Sequence, residues 1–485
     1  MTQPHNRIRV AIAGGGIAGA TLFYALRQHR HLDVHIFEAA PNFREAGASV
    51  GIHYNAFEAL ALISPDAVAC LEAAGAFKLD GFTASMAVGD DQGRTIAMVG
   101  EEGGRCVEHV VRSVSRAALL RVLLADAPPQ QMHTSKQLEG FETRPDDSLE
   151  LHFADKTTHE CDILVGADGI RSTVRKLILG ADNPCAHPKN TGWWNLFSIK
   201  PFSEAQQLLD INDTWQRGWV GDGVASMYSI FDRGQAVVML LACLDQNRGE
   251  AHTRPVSADE IRQICHDWPP CLLKAIETFF CEKSEQTALY LWEHAIPAPS
   301  YCAGPVCLLG DAAHATTPWL GSGGGMSIED ALILSTLLGQ TKTSHEALDA
   351  LRVYDSTRRP RTQRVVKASH DQGVMWSGRG SETGLNAAKL ERDFSRGWDF
   401  IHFFDVEAHR NEALQMFSVA SFQDVQYLLA KYSPQAFDDI MIVSYLGEEQ
   451  VETEEDIGEE VVIIINDMRD RGVAGIEGCH SSTAP

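Results

Sequence analysis

The chain has 485 residues, too many for one ordinary compact domain and far more than a peptide-sized or metal-stapled scaffold. Hydrophobic residues make up 44% and charged residues 22%, a balance that excludes wholesale disorder. With 41 Lys and Arg against 65 Asp and Glu the formal charge is −24, so a phosphate-tracking groove would oppose the field of the whole molecule and nucleic acid is discounted as a partner. Residues 8–13 alternate into a short buried strand, a glycine cluster follows, and 17–29 carry apolar residues at helical spacing. Residues 33–37 form a second strand and complete a β-α-β unit. Hairpins are expected over 82–99, a helix over 114–127, and a strand over 162–167 that ends in Asp168-Gly169. From 191 to 244 the pattern is mostly strand and rich in Trp, Phe and Met, which predicts a second sheet. Residues 305–309 are again a buried strand, running through a glycine-rich loop into a helix over 327–338, and 349–417 are predominantly helical. Between Glu448 and Glu460 stand eight acids and no base, the composition of a solvated, flexible extension.

The eleven cysteines are scattered and include no C-x-x-C pair, which argues for free thiols in a reducing, cytoplasmic setting and against a metal centre. The longest apolar runs fall far short of the roughly 20 residues that span a bilayer, so no membrane helix is expected. The polar residues 2–7 lead straight into the first strand, so no signal peptide is expected.

Gly14-Gly15-Gly16-Ile17-Ala18-Gly19 fits G-x-G-x-x-G between a strand and a helix. Gly14 permits the tight turn, Gly16 lets a pyrophosphate approach the backbone, and Gly19 lets the helix pack on the strand. Glu38 at the end of the second strand can accept both hydroxyls of an adenosine ribose while repelling a 2′-phosphate, which favours FAD or NAD over NADP at this site. Residues 306–329, VCLLGDAAHATTPWLGSGGGMSIE, put Gly310-Asp311 at a strand end and a glycine run before a helix. An aspartate there can bind a ribityl hydroxyl, and the helix N-terminus can face the negative charge of a reduced flavin. Residues 162–175, DILVGADGIRSTVR, add a second strand-to-turn Asp-Gly with flanking arginines.

Together these three segments resemble the class A flavoprotein monooxygenases over most of residues 8–420. PNFREAGASVGIHYNA at 41–56, SRAALLRVLL at 115–124 and WDFIHFFDVEAHRNEALQMF at 398–417 are most similar to salicylate hydroxylase and the fungal tropolone- and sorbicillinoid-type polyketide hydroxylases. The resemblance implies an α/β fold: a Rossmann-like FAD-binding domain with an interleaved β-sheet substrate domain and a helical C-terminal part. Residues 1–80, 110–182 and 300–370 would form the FAD domain, 81–109 and 183–299 the substrate domain, 371–446 the helical part and 447–485 the acidic tail. It also implies that Gly14, Gly16, Gly19 and Glu38 hold the ADP half of FAD, that Gly51 and Arg116 meet the cofactor, and that Asp311 and Gly324 serve the flavin end. Asp168, with Arg171, would serve both FAD and a transient NADPH or NADH. Hydride from that nicotinamide, then O2 added at the flavin C4a, would hydroxylate a small aromatic or polyketide substrate, with a phenol bound as phenolate the substrate expected.

Fungal relatives often carry an Arg after a Thr-Gly pair and a Tyr one strand later that grip the phenolate. After Thr191-Gly192 this chain reads Trp193-Trp194-Asn195-Leu196-Phe197-Ser198, without that arginine. Tyr228 stands near the place of the tyrosine, and Arg217, Arg233, His53 and Tyr54 are the candidate substitutes. The aromatic cluster Trp193, Trp194, Phe197, Trp215, Trp219, Tyr228 and Phe231 is read mainly as core, with some members facing the flavin. His314 is read as structural. The absent arginine keeps open an oxygenase acting on a non-aromatic polyketide or terpenoid ring. A non-catalytic flavin-binding interaction protein, working through the acidic tail, is the third reading.

Overall fold

The computed structural model describes residues 7–43, 49–100, 111–209, 213–245, 249–394, 398, 400–401 and 404–432. The acidic run, Cys106 and Cys479 lie outside them, as do parts of the segments 41–56, 81–109 and 398–417. The chain divides into two units, Met1–Leu414 and Gln415–Pro485; in the second, residues 415–432 are helical.

Within the first unit, strand Ile8–Ala13 is central in a six-stranded sheet because both of its faces are apolar, and Val10, Ala11 and Ile12 are essentially inaccessible. It pairs in parallel with Leu32–Phe37 on one side and Ile163–Gly166 on the other. Val306–Leu308 and Met132–His133 extend the parallel ladder outward, and Cys302–Ala303 adds an antiparallel edge. Helix Ile17–Leu26 has almost no polar face, since it lies between this sheet and helix Gly323–Gln340. Three distant stretches of sequence thus build one Rossmann-like sheet.

The second sheet has eight strands in the order Thr253–Ser257, Glu285–Glu293, Lys189–Pro201, Ala236–Leu244, Val224–Phe231, Gln216–Val220, Gly81–Met86 and Thr95–Gly100. Only Gln216–Val220 and Gly81–Met86 pair in parallel. Both faces are covered over much of their extent, against different partners, while Phe197, Ile199 and Leu289 are exposed, so Phe197 stands apart from the buried part of the aromatic cluster. One face, with Trp194, Tyr228, Ile230, Met239 and Leu241, packs under residues of helices Phe202–Leu209, Ala258–Ile264 and Pro270–Phe280. The opposite face, with Phe82, Met86, Trp193, Val220 and Ala225, packs on Trp319, Leu320 and Met326 of the glycine-rich segment and on Trp376, Phe394 and Trp398.

Three boundaries differ from the sequence expectation. The helix expected from 114 begins at Arg116, because Arg112–Ser115 pairs with Ser49–Ile52 as a strand and the Ser115 hydroxyl accepts from the Ala118 N–H. The helix expected from 327 begins at Gly323, so the glycines form its first turn. The expected run of strands from 191 to 244 is interrupted by helix Phe202–Leu209. The nine described cysteines are all unpaired. Among the described residues no helix is long and apolar enough to cross a membrane, and no cluster of three His, Cys, Asp or Glu could hold a metal.

Candidate active site

Two glycine-lined surfaces meet at the C-terminal edge of the parallel sheet. At the first, Gly14 has φ +112°, and a Cβ there would stand 2.1 Å from the Ala167 carbonyl oxygen. A Cβ on Gly19 would stand 2.0 Å from the Gly14 carbonyl oxygen, so turn and helix touch backbone to backbone. Gly16 precedes helix Ile17–Leu26 without a side-chain cap, leaving first-turn N–H groups for an anion. The Glu38 carboxylate is oriented by two backbone donors, Gly15 N–H at 2.8 Å and Ala40 N–H at 2.7 Å.

Asp168 follows strand Ile163–Gly166. Its carboxylate accepts from the Ser172 hydroxyl and from the Thr173 and Val174 N–H groups, at 2.7 and 3.2 Å for the latter two. Burial raises its pKa, and these hydrogen bonds act against that. The carboxylate therefore shapes the turn beside Gly14 and caps helix Thr173–Leu179. Arg171 is exposed, whereas Arg175 is fully buried and donates to the carbonyls of Cys185, Ala312 and Ala313 at 2.8, 2.9 and 2.7 Å. Burial lowers its pKa to about 10. This arginine ties the Asp168 segment to the Asp311 turn, a role that its place among flanking arginines did not reveal.

At the second surface Gly310 (φ +63°) packs so closely that a Cβ would stand 2.6 Å from Ala18 Cβ, and Asp311 opens the short helix Asp311–His314 with its side chain exposed. A Cβ on Gly324 would meet Val50 Cγ2 at 2.5 Å, so strand Ser49–Ile52 with Gly51 lies directly on the glycine turn. Arg116 begins the helix after the strand paired to it. The Ser322 hydroxyl is spent on the Leu320 carbonyl at 2.9 Å, and no side chain caps helix Gly323–Gln340.

An internal ion cluster holds this turn rigid. Asp330 accepts from His314 Nε2 at 2.6 Å, Arg358 Nε at 2.8 Å and the Gly310 N–H at 3.1 Å. Glu329 is bridged by Arg358 and Arg361, each at 2.7 Å, and by the Asn55 amide. Burial would raise both carboxyls; His314 and Arg358 at Asp330, and Arg361 and Arg358 at Glu329, outweigh it and hold them below the usual range. His314 is thereby structural. The signal for the cluster was present as charged residues on buried helix stripes, but pairing them required the fold.

His53 is buried, its ring N–H facing the backbone carbonyls of Leu320 and Gly321 and its ring 5.9 Å from the Trp398 ring. Burial pushes its pKa down to about 4, so it is neutral at physiological pH. Trp193 meets Trp319 edge-on at 4.9 Å, and Phe82 stacks on Trp398 at 5.3 Å. The structure thus brings Gly51, His53, Gly324 and part of the aromatic cluster together. It does not bring Tyr228 and Arg217 there. They pair across neighbouring strands on the opposite face, Tyr228 under the helices with its hydroxyl unpartnered and Arg217 bound to Asp213. The alternation of side chains along a strand settles this, and a one-residue shift of register reverses it. Arg233 lies in a turn against Gly75, while Tyr54 begins helix Tyr54–Ile63.

Glycines where a Cβ cannot fit, a carboxylate at the second strand's end, two uncapped helix N-termini and an aromatic wall over the second of them fit a bound FAD and define a flavoprotein oxidoreductase. A family model described as an FAD binding domain matches residues 7–369. The 6-methylsalicylate 1-monooxygenase of Aspergillus terreus is 32% identical over 452 residues, which cover 89% of this chain and 98% of that protein. Salicylate hydroxylase of Pseudomonas putida is 29% identical over 434 residues, 85% and 95% of the two chains. A solved salicylate hydroxylase substrate complex shares the fold with a TM-score of 0.72 at 24% identity, covering 84% of this chain and 98% of that one. The chain belongs to the FAD-dependent aromatic hydroxylase family of monooxygenases.

Proposed function

We propose that the protein hydroxylates a phenolic or salicylate-like aromatic, such as a fungal polyketide intermediate, consuming O2 and NADPH or NADH. The observation that carries this reading is the aromatic face of the second sheet, set against the loop that leads into Gly323–Gln340. The 6-methylsalicylate and salicylate enzymes among the relatives support an aromatic ring as the group held there.

Gly14, Gly16, Gly19 and Glu38 would hold the ADP half of the cofactor, with Asp168 shaping the turn beside them. Gly51, Arg116, Asp311 and Gly324 would hold the flavin end. When bound, FAD supplies the redox chemistry that draws on the nicotinamide and activates O2. Trp193, Trp319, Phe82 and Trp398 would exclude water and hold the substrate ring flat against the loop. His53, neutral at the edge of this wall with its one N–H turned to the backbone of Leu320 and Gly321, brings no positive charge to a phenolate. The test is NADPH and NADH oxidation by the FAD-loaded protein across phenols and hydroxybenzoates, with mass spectrometry for one added oxygen. Substrate-stimulated oxidation with oxygen incorporation is expected. Oxidation that no aromatic stimulates overturns the reading.

A further inference from the structure

Helix Ser344–Trp376 lays one stripe against the aromatic cluster on the loop side of the second sheet: Val365, Ala368, Met375 and Trp376 all pack into it. Gln372 lies on the same stripe, one turn after Ala368 and one turn before Trp376, and has no exposed surface. Neither its amide nitrogen nor its amide oxygen has a hydrogen-bond partner. The indole N–H groups of Trp319 and Trp376 in the same cluster are likewise unpartnered. The helix backbone next to Gln372 is pressed onto Trp319, where a Cβ on Gly373 would stand 2.2 Å from the indole nitrogen. Trp193, Trp319 and Trp376 belong to one cluster, and the stripe that carries Gln372 packs into it, so three orphaned donors and one acceptor belong to this packing layer. Buried amides are nearly always paired, because an unpaired one forfeits its hydration without return, so this group is suited to a ligand that completes it.

The charge of the surroundings narrows that ligand. Arg358 and Arg361, on the same helix, are committed to Glu329 and Asp330. His53 is neutral, and Asn195, on the Trp193 side of its strand, is uncharged. Arg364, also on this helix, is exposed and stacks on Phe400 at 4.3 Å at the margin of the cluster. A carboxylate at the Gln372 amide would lose its hydration and meet the neutral donors of the amide and the two indoles, whereas a hydroxyl or ring carbonyl could use both functions of the amide.

We propose that Gln372 is a substrate-binding residue that anchors a neutral oxygen substituent, a phenol hydroxyl or ring carbonyl, of an aromatic lying against Trp193 and Trp319, and that the site favours neutral phenols over aryl carboxylates. The inference rests on the aromatic-hydroxylase reading above.

The test uses the full chain loaded with FAD, with 3-methylphenol and 2-hydroxybenzoate as probes. Binding is read by quenching of tryptophan fluorescence and turnover by oxidation of NADPH. Wild type is expected to bind 3-methylphenol at least tenfold tighter than 2-hydroxybenzoate. Gln372→Met, of nearly the same shape, is expected to weaken 3-methylphenol binding and raise KM by tenfold or more with a smaller change in kcat. Its ligand-free melting temperature should stay level or rise, because the orphaned amide is gone. Gln372→Glu serves as the second variant, and it too should weaken binding at pH 8, where a carboxylate cannot donate to a phenol oxygen. If phenols bind wild type and both variants alike, or if Gln372→Met melts lower with unchanged binding, Gln372 is structural and the inference falls while the functional reading stands. Tighter binding of 2-hydroxybenzoate than of 3-methylphenol overturns the preference for a neutral group. If wild type binds neither probe and no aromatic stimulates turnover, the reading falls and the inference with it.

Discussion

Lowering the pH from 7.5 to 5.0 should cost the FAD-free protein stability through His53, and substituting that residue should remove part of the loss. The ring is buried against Leu320, Gly321 and Trp398, and burial holds its pKa near 4, against about 6.5 in an unfolded chain. Between those values the unfolded state binds one more proton than the folded state, so stability falls as pH falls, at about 1.4 kcal/mol per pH unit. The contribution is complete above pH 6.5, about 2 kcal/mol smaller at pH 5, and lost below pH 4. A unit of this size gains unfolding entropy on the order of 0.9 kcal/mol per degree, so His53 alone accounts for a melting-temperature drop of about 2 °C at pH 5. Scanning fluorimetry of wild type and His53→Gln at the two pH values isolates it: the variant should drop about 2 °C less than wild type, whatever its melting temperature at pH 7.5. Equal drops would refute the buried, neutral assignment. His294, which burial lowers to about 3, should behave in the same sense with a similar magnitude.

Glu38→Ala removes the carboxylate that Gly15 and Ala40 orient and should weaken FAD binding by roughly 10- to 100-fold, the worth of charge-assisted hydrogen bonds of about 1.5–3 kcal/mol, as read by flavin fluorescence titration. Arg358→Met leaves Glu329 and Asp330 buried with one cation fewer; a loss of about 3–5 kcal/mol is expected, visible as a melting temperature lower by several degrees even with saturating FAD. Tyr228→Phe deletes a buried, unpartnered hydroxyl on the helix-covered face of the sheet, so stability should hold or rise by about 1 kcal/mol and KM for any substrate should change less than twofold. A tenfold rise in KM would restore Tyr228 to the substrate site.

What was legible in the sequence was what local geometry enforces. Gly14 and Gly19 mark a turn where any side chain collides with backbone, and the short apolar strands around residues 10, 164 and 307 are suited to buried places in a parallel sheet. The glycine run before residue 327 announced the second surface, although its residues form the helix's first turn and not a loop before it. The face packed on the glycine-rich segment was not legible, because it depends on which side of the sheet each strand residue takes. Trp193 and Trp194 are neighbours in sequence yet belong to opposite cores, and Tyr228 and Arg217 followed the core under the helices. Nor could any local signal join Glu329 and Asp330 to Arg358 and Arg361, or lay the helix stripe that carries Gln372 against the cluster of Trp193 and Trp319. By itself the sequence determined a dinucleotide-binding oxidoreductase built from distant stretches, since its glycine turns and strand-end carboxylates do their chemistry within a few residues. Which side chains share the face set against the glycine-rich segment was decided only in the tertiary structure, where strand register and one long helix select that face.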